Sequence, residues 1–173
     1  MSSRAGYTFA DNLPLMLAVM TTGLITGYFA MHWVTLQPAM MNMGADIYGT
    51  VQAEITHDLR NPFFLFMFFG GAAFLALSAA FDIKRWRSPS FVMTILALIV
   101  YLGGIVAYTK LMMVPINHDI QAWNPIAMPG DWVDIRALWR ERNEYRLIAA
   151  LTTFVLSIAA LSARATSKPT PST

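Results

Sequence analysis

Long apolar runs alternate along the chain with short polar connections. Four of the runs reach the roughly 20 residues that a bilayer-crossing helix needs. They extend from about Leu13 to Leu36, Pro62 to Phe81, Phe91 to Met113 and Arg146 to Ala163. Each run is continuously apolar rather than alternating with period two, so strands of a β-barrel are not expected. The first run does not read as a cleaved leader: it is too long, Asp11 precedes it, and no small-residue cleavage site appears before His32 and Trp33. The predicted fold is all-α, a four-helix transmembrane bundle forming a single domain over residues 1–163. The polar, proline-rich residues 164–173 (with TSKPTPST at the end) are expected to be a disordered tail.

The connections differ in character. The one between spans two and three is short, about Asp82 to Ser90. The first outer connection, Gln37 to Asn61, carries Pro38, Gly44 and Gly49, and its VQAEITHDLRNP segment predicts a short helix ending before Pro62. The second, Val114 to Gly130, carries Pro115, Pro125 and Pro129. PGDW then offers a stop followed by an N-cap at Asp131. From there to Ala163 neither proline nor glycine interrupts the helix, a length of about 33 residues or roughly 50 Å at 1.5 Å per residue. That exceeds the hydrocarbon core, so the first four turns should stand outside as an extracytoplasmic cap.

Composition narrows the function classes. Charged residues are 13% and hydrophobic residues 56%, with a mean hydropathy of +0.48. A disordered chain or a soluble enzyme does not fit those values. The chain has no cysteine, which removes disulfides, thiolate metal sites and cysteine nucleophiles. A net charge of +2 is too small to predict nucleic-acid binding. The basic residues speak instead to orientation. Arg4, Lys84, Arg85, Arg87, Arg164 and Lys168 share one side; Arg60, Lys110, Arg136, Arg140, Arg142 and Arg146 share the other. The count is a tie, but the second group is interleaved with eight acids between Asp46 and Glu144. The compact KRWR run at 84–87 is the cleaner signal, and it places both termini in the cytoplasm of a plasma (inner) membrane protein.

The candidate chemistry lies on the fourth helix. Trp132, Arg136, Trp139, Asn143 and Arg146 follow at spacings of four, three, four and three, which is one helical face. Two tryptophans, two arginines and an asparagine do not make a lipid face, and a buried arginine must be paired or hydrogen-bonded. Tryptophan and arginine also anchor helices at the membrane interface, so an interfacial belt is an alternative. His32, Gln37, Asn117 and His118 fall at the same depth in this topology, which favours a common polar site. His32 alone could simply bond a neighbouring helix, and His57 and His118 read as solvated. Met31, Met40, Met41 and Met43 could offer soft ligands to Cu(I), but such clusters more often fill interfaces. Gly23 and Gly27 predict a close-packing face, and Gly70, Gly71, Gly103 and Gly104 another. No phosphate loop, dinucleotide fingerprint, nucleophile elbow or HExxH is present, and no span carries an acid deep enough for an ion path.

MMVPINHDIQAWNP followed by DWVDIRALWRERNEYRLIAAL resembles the anthrone oxygenase-like family of small four-helix membrane proteins, many of them described only as a domain of unknown function. The family pattern corresponds here to Val114, Pro115, Asn117, Trp123, Arg136, Trp139, Asn143 and Arg146. The resemblance implies oxidation of an anthrone by O2 without metal or flavin. An anthrone is readily deprotonated to an electron-rich anion, so the protein need supply a base, an oxyanion stabiliser and an apolar box. On this reading Arg146 or Arg136 stabilises the anion, Asn117 and Asn143 bond the carbonyl oxygen, and Trp139 stacks on the ring, with Trp123 beside it. His32 is the candidate base by depth and chemistry rather than by the family pattern. The expected partners are membrane lipids and a lipophilic small molecule, with no nucleic acid, no metal and no cofactor, and with a homo-oligomer or membrane complex open. The competing class is a non-catalytic membrane protein, an accessory subunit or a lipid or quinone binder. In it the stripe would be closed by ion pairs from Arg136 or Arg146 to Asp119 or Glu54.

Overall fold

The computed structural model describes residues 7–166. Arg4, Lys168 and all but the first residues of the expected polar tail lie outside them. Five helices account for the architecture: α1 (Phe9–Met41), α2 (Ala45–Asp58), α3 (Pro62–Phe81), α4 (Pro89–Gln121) and α5 (Trp132–Ala165). All except α2 are long and apolar enough to cross a membrane. The protein is an all-α integral membrane protein.

Local chemistry sets most of the helix starts. Thr8 and Asp11 form a capping box, the Thr8 hydroxyl accepting from the Asp11 amide while the Asp11 carboxylate accepts from the Thr8 amide. Asn61 and Ser88 cap α3 and α4 through their side chains, each followed by a proline in the first turn. Asp131 precedes α5 as expected, but its side chain makes no capping bond there.

Two helices run further than their prolines suggest. The expected break after Leu36 is replaced by a helix continuing to Met41, and the break after Met113 by one continuing to Gln121. Both contain π-helical turns, at His32–Leu36 and at Leu102–Ala107 and Thr109–Met113. The Gln37 amide donates to the His32 carbonyl, and the Val114 amide to the Thr109 carbonyl, each five residues back. Pro38 and Pro115 directly follow those two residues. A proline ring clashes with the carbonyl four residues before it, and a widened π turn relieves that crowding.

In the bundle α1 packs between α3 and α5, and α4 closes the ring against α5 and α3. Leu15, Ile25, Phe29, Leu75, Tyr101, Ile105 and Ala150 fill the centre. Outside, Phe66, Phe69, Ile99, Ile148 and Val155 are 50–62% exposed, the arrangement expected of a surface solvated by lipid. Some glycines allow close approach: a β-carbon on Gly71 would lie 2.6 Å from the Tyr101 ring, and one on Gly104 2.7 Å from Ala149. Gly27 and Gly103 face open space, so the predicted Gly23–Gly27 packing face reduces to Gly23, which meets Phe154. α2 caps one end of the bundle, packed on the last turns of α4, with Tyr48 against Trp132 at the start of α5. A smaller apolar cluster of Met113, Ile116, Ile120 and Trp139 lies beneath it.

Candidate functional site

The two ends of the bundle handle buried charge in opposite ways. At the end bearing the termini, Arg164 on α5 is 3% exposed. Its Nε donates to Ser90 Oγ at 3.0 Å, its Nη1 to the Asp11 carbonyl at 2.7 Å, and its Nη2 to Ser78 Oγ at 2.8 Å and Asp82 Oδ2 at 3.4 Å. One guanidinium thus ties α1, α3, α4 and α5 together, and Tyr7 and Arg85 also bond the Asp82 carboxylate. Its charge is paired and its donors are used, so this is a structural clasp. Sequence reasoning missed it: Arg164 was assigned to the tail and Asp82 to a loop edge.

At the cap end the predicted stripe turns inward. Arg136, Trp139, Asn143 and Arg146 are buried, with Trp132 half-buried above them. They meet α1 and α4. The Trp139 indole N–H donates to Asn117 Oδ1 at 2.8 Å, and its ring lies 4.9 Å from that of His32. Arg146 Nη2 donates to Asn143 Oδ1 at 2.6 Å, with the guanidinium carbon 4.7 Å from the Phe29 ring centre and 6.0 Å from that of Trp139. Asn117, His32, Trp139, Asn143 and Arg146 therefore come together. Trp123 stands higher, against Tyr48. Arg136 is also higher, donating to the Met41 carbonyl at 3.2 Å and lying over the faces of Trp132 and Tyr48.

Among the described residues, neither Arg136 nor Arg146 has a carboxylate partner. The ion pairs among the described residues are His57–Asp58, Arg85–Asp82 and Arg164–Asp82. Glu54 and Asp119 are exposed, and the closure they were to provide does not form. Several buried polar atoms also lack hydrogen-bond partners: both ring nitrogens of His32, Nδ2 of Asn143 and Nε of Arg146. A buried donor without an acceptor costs about 1–3 kcal/mol, so a set of them marks a place built to receive something polar.

A family model described as anthrone oxygenase matches residues 63–156, more than half of the chain. The chain belongs to the anthrone oxygenase family. The match spans Asn117, Trp123, Arg136, Trp139, Asn143 and Arg146, and stops short of α1 and His32. No curated protein and no solved structure matches the chain. In this anthrone oxygenase family member the matched stripe thus reaches its full set of neighbours only through α1, which supplies His32 and Phe29 from outside the matched segment.

The remaining candidates separate cleanly. His57 and His118 are exposed. Met31 is 44% exposed while Met40 is buried, so the four methionines do not converge. Among the described residues no three His, Asp or Glu side chains form a metal-holding group. Beside the site, a groove of about 450 Å³ runs between α1 and α2, lined by Tyr28, Leu36, Val51, Ile55 and Leu59 among others. Tyr28 lines that groove and also approaches His32, ring centres 6.3 Å apart. The lining of this groove does not include Asn117, Asn143 or Arg146, so it is not an apolar box built on those residues; Tyr28 is what connects it to the surroundings of His32. Gln37, Tyr48 and Gln52 are further buried polar residues at this end. Of these, depth drew attention to Gln37 alone.

Proposed function

We propose that this protein is a membrane oxygenase that converts a lipophilic, anthrone-like aromatic into the corresponding quinone with O2 and without a cofactor. The single observation carrying this reading is Arg146: a cation buried within the bundle, held by Asn143, with no carboxylate to neutralise it. Such a charge is costly unless an anion joins it, and the anion of a deprotonated anthrone supplies one.

The chemistry follows from the neighbours. His32 has both ring nitrogens free of protein partners and takes a proton from the ring carbon opposite the carbonyl. The charge moves onto the carbonyl oxygen, where Arg146 and the free Asn143 amide N–H group receive it. The carbanion carbon then attacks O2, which is reduced as the carbon is oxidised. Protonation by the imidazolium gives a hydroperoxide. Loss of the second hydrogen from that carbon, with cleavage of the O–O bond, leaves a carbonyl and releases water. One anthrone and one O2 thus give one anthraquinone and one water. Trp139 and Phe29 form aromatic walls, and burial keeps bulk water from the anion. The site lies on the outer side of a plasma membrane in the orientation with both termini cytoplasmic.

The test is turnover of an anthrone to its anthraquinone by purified protein in mild detergent, followed by the quinone's visible absorption. Arg146→Ala should lower kcat by about 100-fold or more, the scale of a lost oxyanion donor, while helical content stays unchanged. Full activity in that variant refutes the assignment. His32→Ala should lower kcat with a loss that recovers as pH rises, because hydroxide replaces the missing base. A pH-independent loss would remove His32 from that role.

A further inference from the structure

Above the Arg146 site, the cap holds a second group of buried polar side chains that the oxygenase chemistry leaves unused. Gln37 and Tyr48 are 0% exposed, Gln52 1% and Arg136 8%. Both polar atoms of each glutamine, the Tyr48 hydroxyl and Arg136 Nε have no hydrogen-bond partner. Arg136 and Tyr48 meet in the cap, and Gln37 and Gln52 lie within a helical turn of that meeting along α1 and α2. Arg136 reaches the Met41 carbonyl and lies 5.5 Å from the Tyr48 ring centre. Gln37 stands one turn before Met41 on α1, and Gln52 one turn after Tyr48 on α2, each on the same face of its helix. The aromatic rings of Trp123 and Trp132 flank Tyr48 at 6.4 and 6.0 Å.

The unpartnered atoms have a definite chemical bias. Four of them carry protons to donate: Nε2 of Gln37, Nε2 of Gln52, the Tyr48 hydroxyl and Nε of Arg136. Two, the glutamine Oε1 atoms, only accept. Burial pushes the Tyr48 phenol up to about 12, so it remains a donor at neutral pH. The one full charge is the Arg136 cation, which has no acid partner among the described residues. Excess donors around an uncompensated cation, between aromatic walls, suit an acidic oxygen group carried on a ring.

We infer that Gln37, Tyr48, Gln52 and Arg136 form a second binding site, which holds a carboxylate or phenolate substituent at the far end of the aromatic ligand. The ligand's ring system is taken from the oxygenase reading, on which this inference rests. Arg136 and Asn143 are seven residues apart on α5, about 10 Å at 1.5 Å per residue. A polycyclic ligand oxygenated at both ends reaches from one to the other, and this site selects among ring systems that Arg146 alone treats alike.

The test is binding, read by quenching of tryptophan fluorescence with the full chain in detergent. The probes are anthraquinone and anthraquinone-2-carboxylate. The wild-type protein should bind the carboxylate at least about tenfold more tightly, the scale of one charge-assisted hydrogen bond. Arg136→Met and Gln52→Leu should each erase most of that preference, while Arg146→Met weakens both probes alike. Equal binding of the two probes by the wild-type protein overturns this site and leaves the oxygenase reading standing. A preference that survives in Arg136→Met and Gln52→Leu overturns it too. If in addition Gln52→Leu melts at a higher temperature, the amides merely house water. Failure of both probes to bind overturns both readings.

Discussion

At the scale of single residues, two buried arginines on one helix separate structure from chemistry. Arg164 spends its donors on three side chains and a carbonyl, including the Asp82 carboxylate. Arg146 has Asn143 and aromatic faces. Truncating a partner of a buried ion pair strands the other charge, so Arg164→Ala should destabilise the protein by about 3–5 kcal/mol. Thermal unfolding in detergent should show a clear drop in midpoint for that variant and a much smaller change for Arg146→Ala. An equal drop in both would mean that Arg146 is a structural clasp as well. The stripe containing Arg146 was legible from residue spacing, since 132, 136, 139, 143 and 146 trace one helical face. The clasp was not. Arg164 and Asp82 lie 82 positions apart, and nothing local to either distinguishes a buried cation from a loop charge.

At the scale of elements, the π turns decide which residues face inward. In a regular α-helix, residues five apart point to different sides, so His32 and Gln37 should not both be buried. The π turn at His32–Leu36 closes a bond from the Gln37 amide to the His32 carbonyl, which brings both side chains to the interior. Deleting Val34, a 62% exposed residue within that turn, should convert it to ordinary α-helix. The variant should keep both its helical content and its turnover, because the deletion leaves the His32 and Gln37 side chains four residues apart, on one face of an α-helix. Lost turnover would show that the π turn does more than set which side chains face inward. Helix contacts offer a second check. Gly71→Ala places a methyl group into the Tyr101 ring and threatens its 2.7 Å bond to the Phe68 carbonyl, so about 1–3 kcal/mol of stability should be lost. Gly27→Ala meets open space and should be neutral in the same unfolding measurement. Sequence pattern put these glycines in one class because it reads small size, whereas packing depends on what stands opposite.

At the scale of the whole molecule, the orientation proposed from the basic cluster at 84–87 can be measured directly, because the chain has no cysteine of its own. Ile126 is 95% exposed in the connection before α5, and Ile83 is 58% exposed in the turn after α3. A membrane-impermeant maleimide should label Ile126→Cys in intact cells and Ile83→Cys only after permeabilisation; the reverse pattern would invert the protein. What the sequence determined by itself was the solvent and the scaffold: long continuous apolar runs leave backbone groups no partner in lipid except their own helix, so four spanning helices are dictated by composition and length. It also determined that α5 would carry a polar face, since helical periodicity is a local property. Tertiary structure decided the rest. Whether Arg146 would be neutralised, whether Tyr48 and Gln52 would join the interior, and how far α1 would run past Pro38 depend on which side chains and turns meet across the bundle. Those meetings arise from packing between segments far apart in the chain, and local pattern carries no record of them.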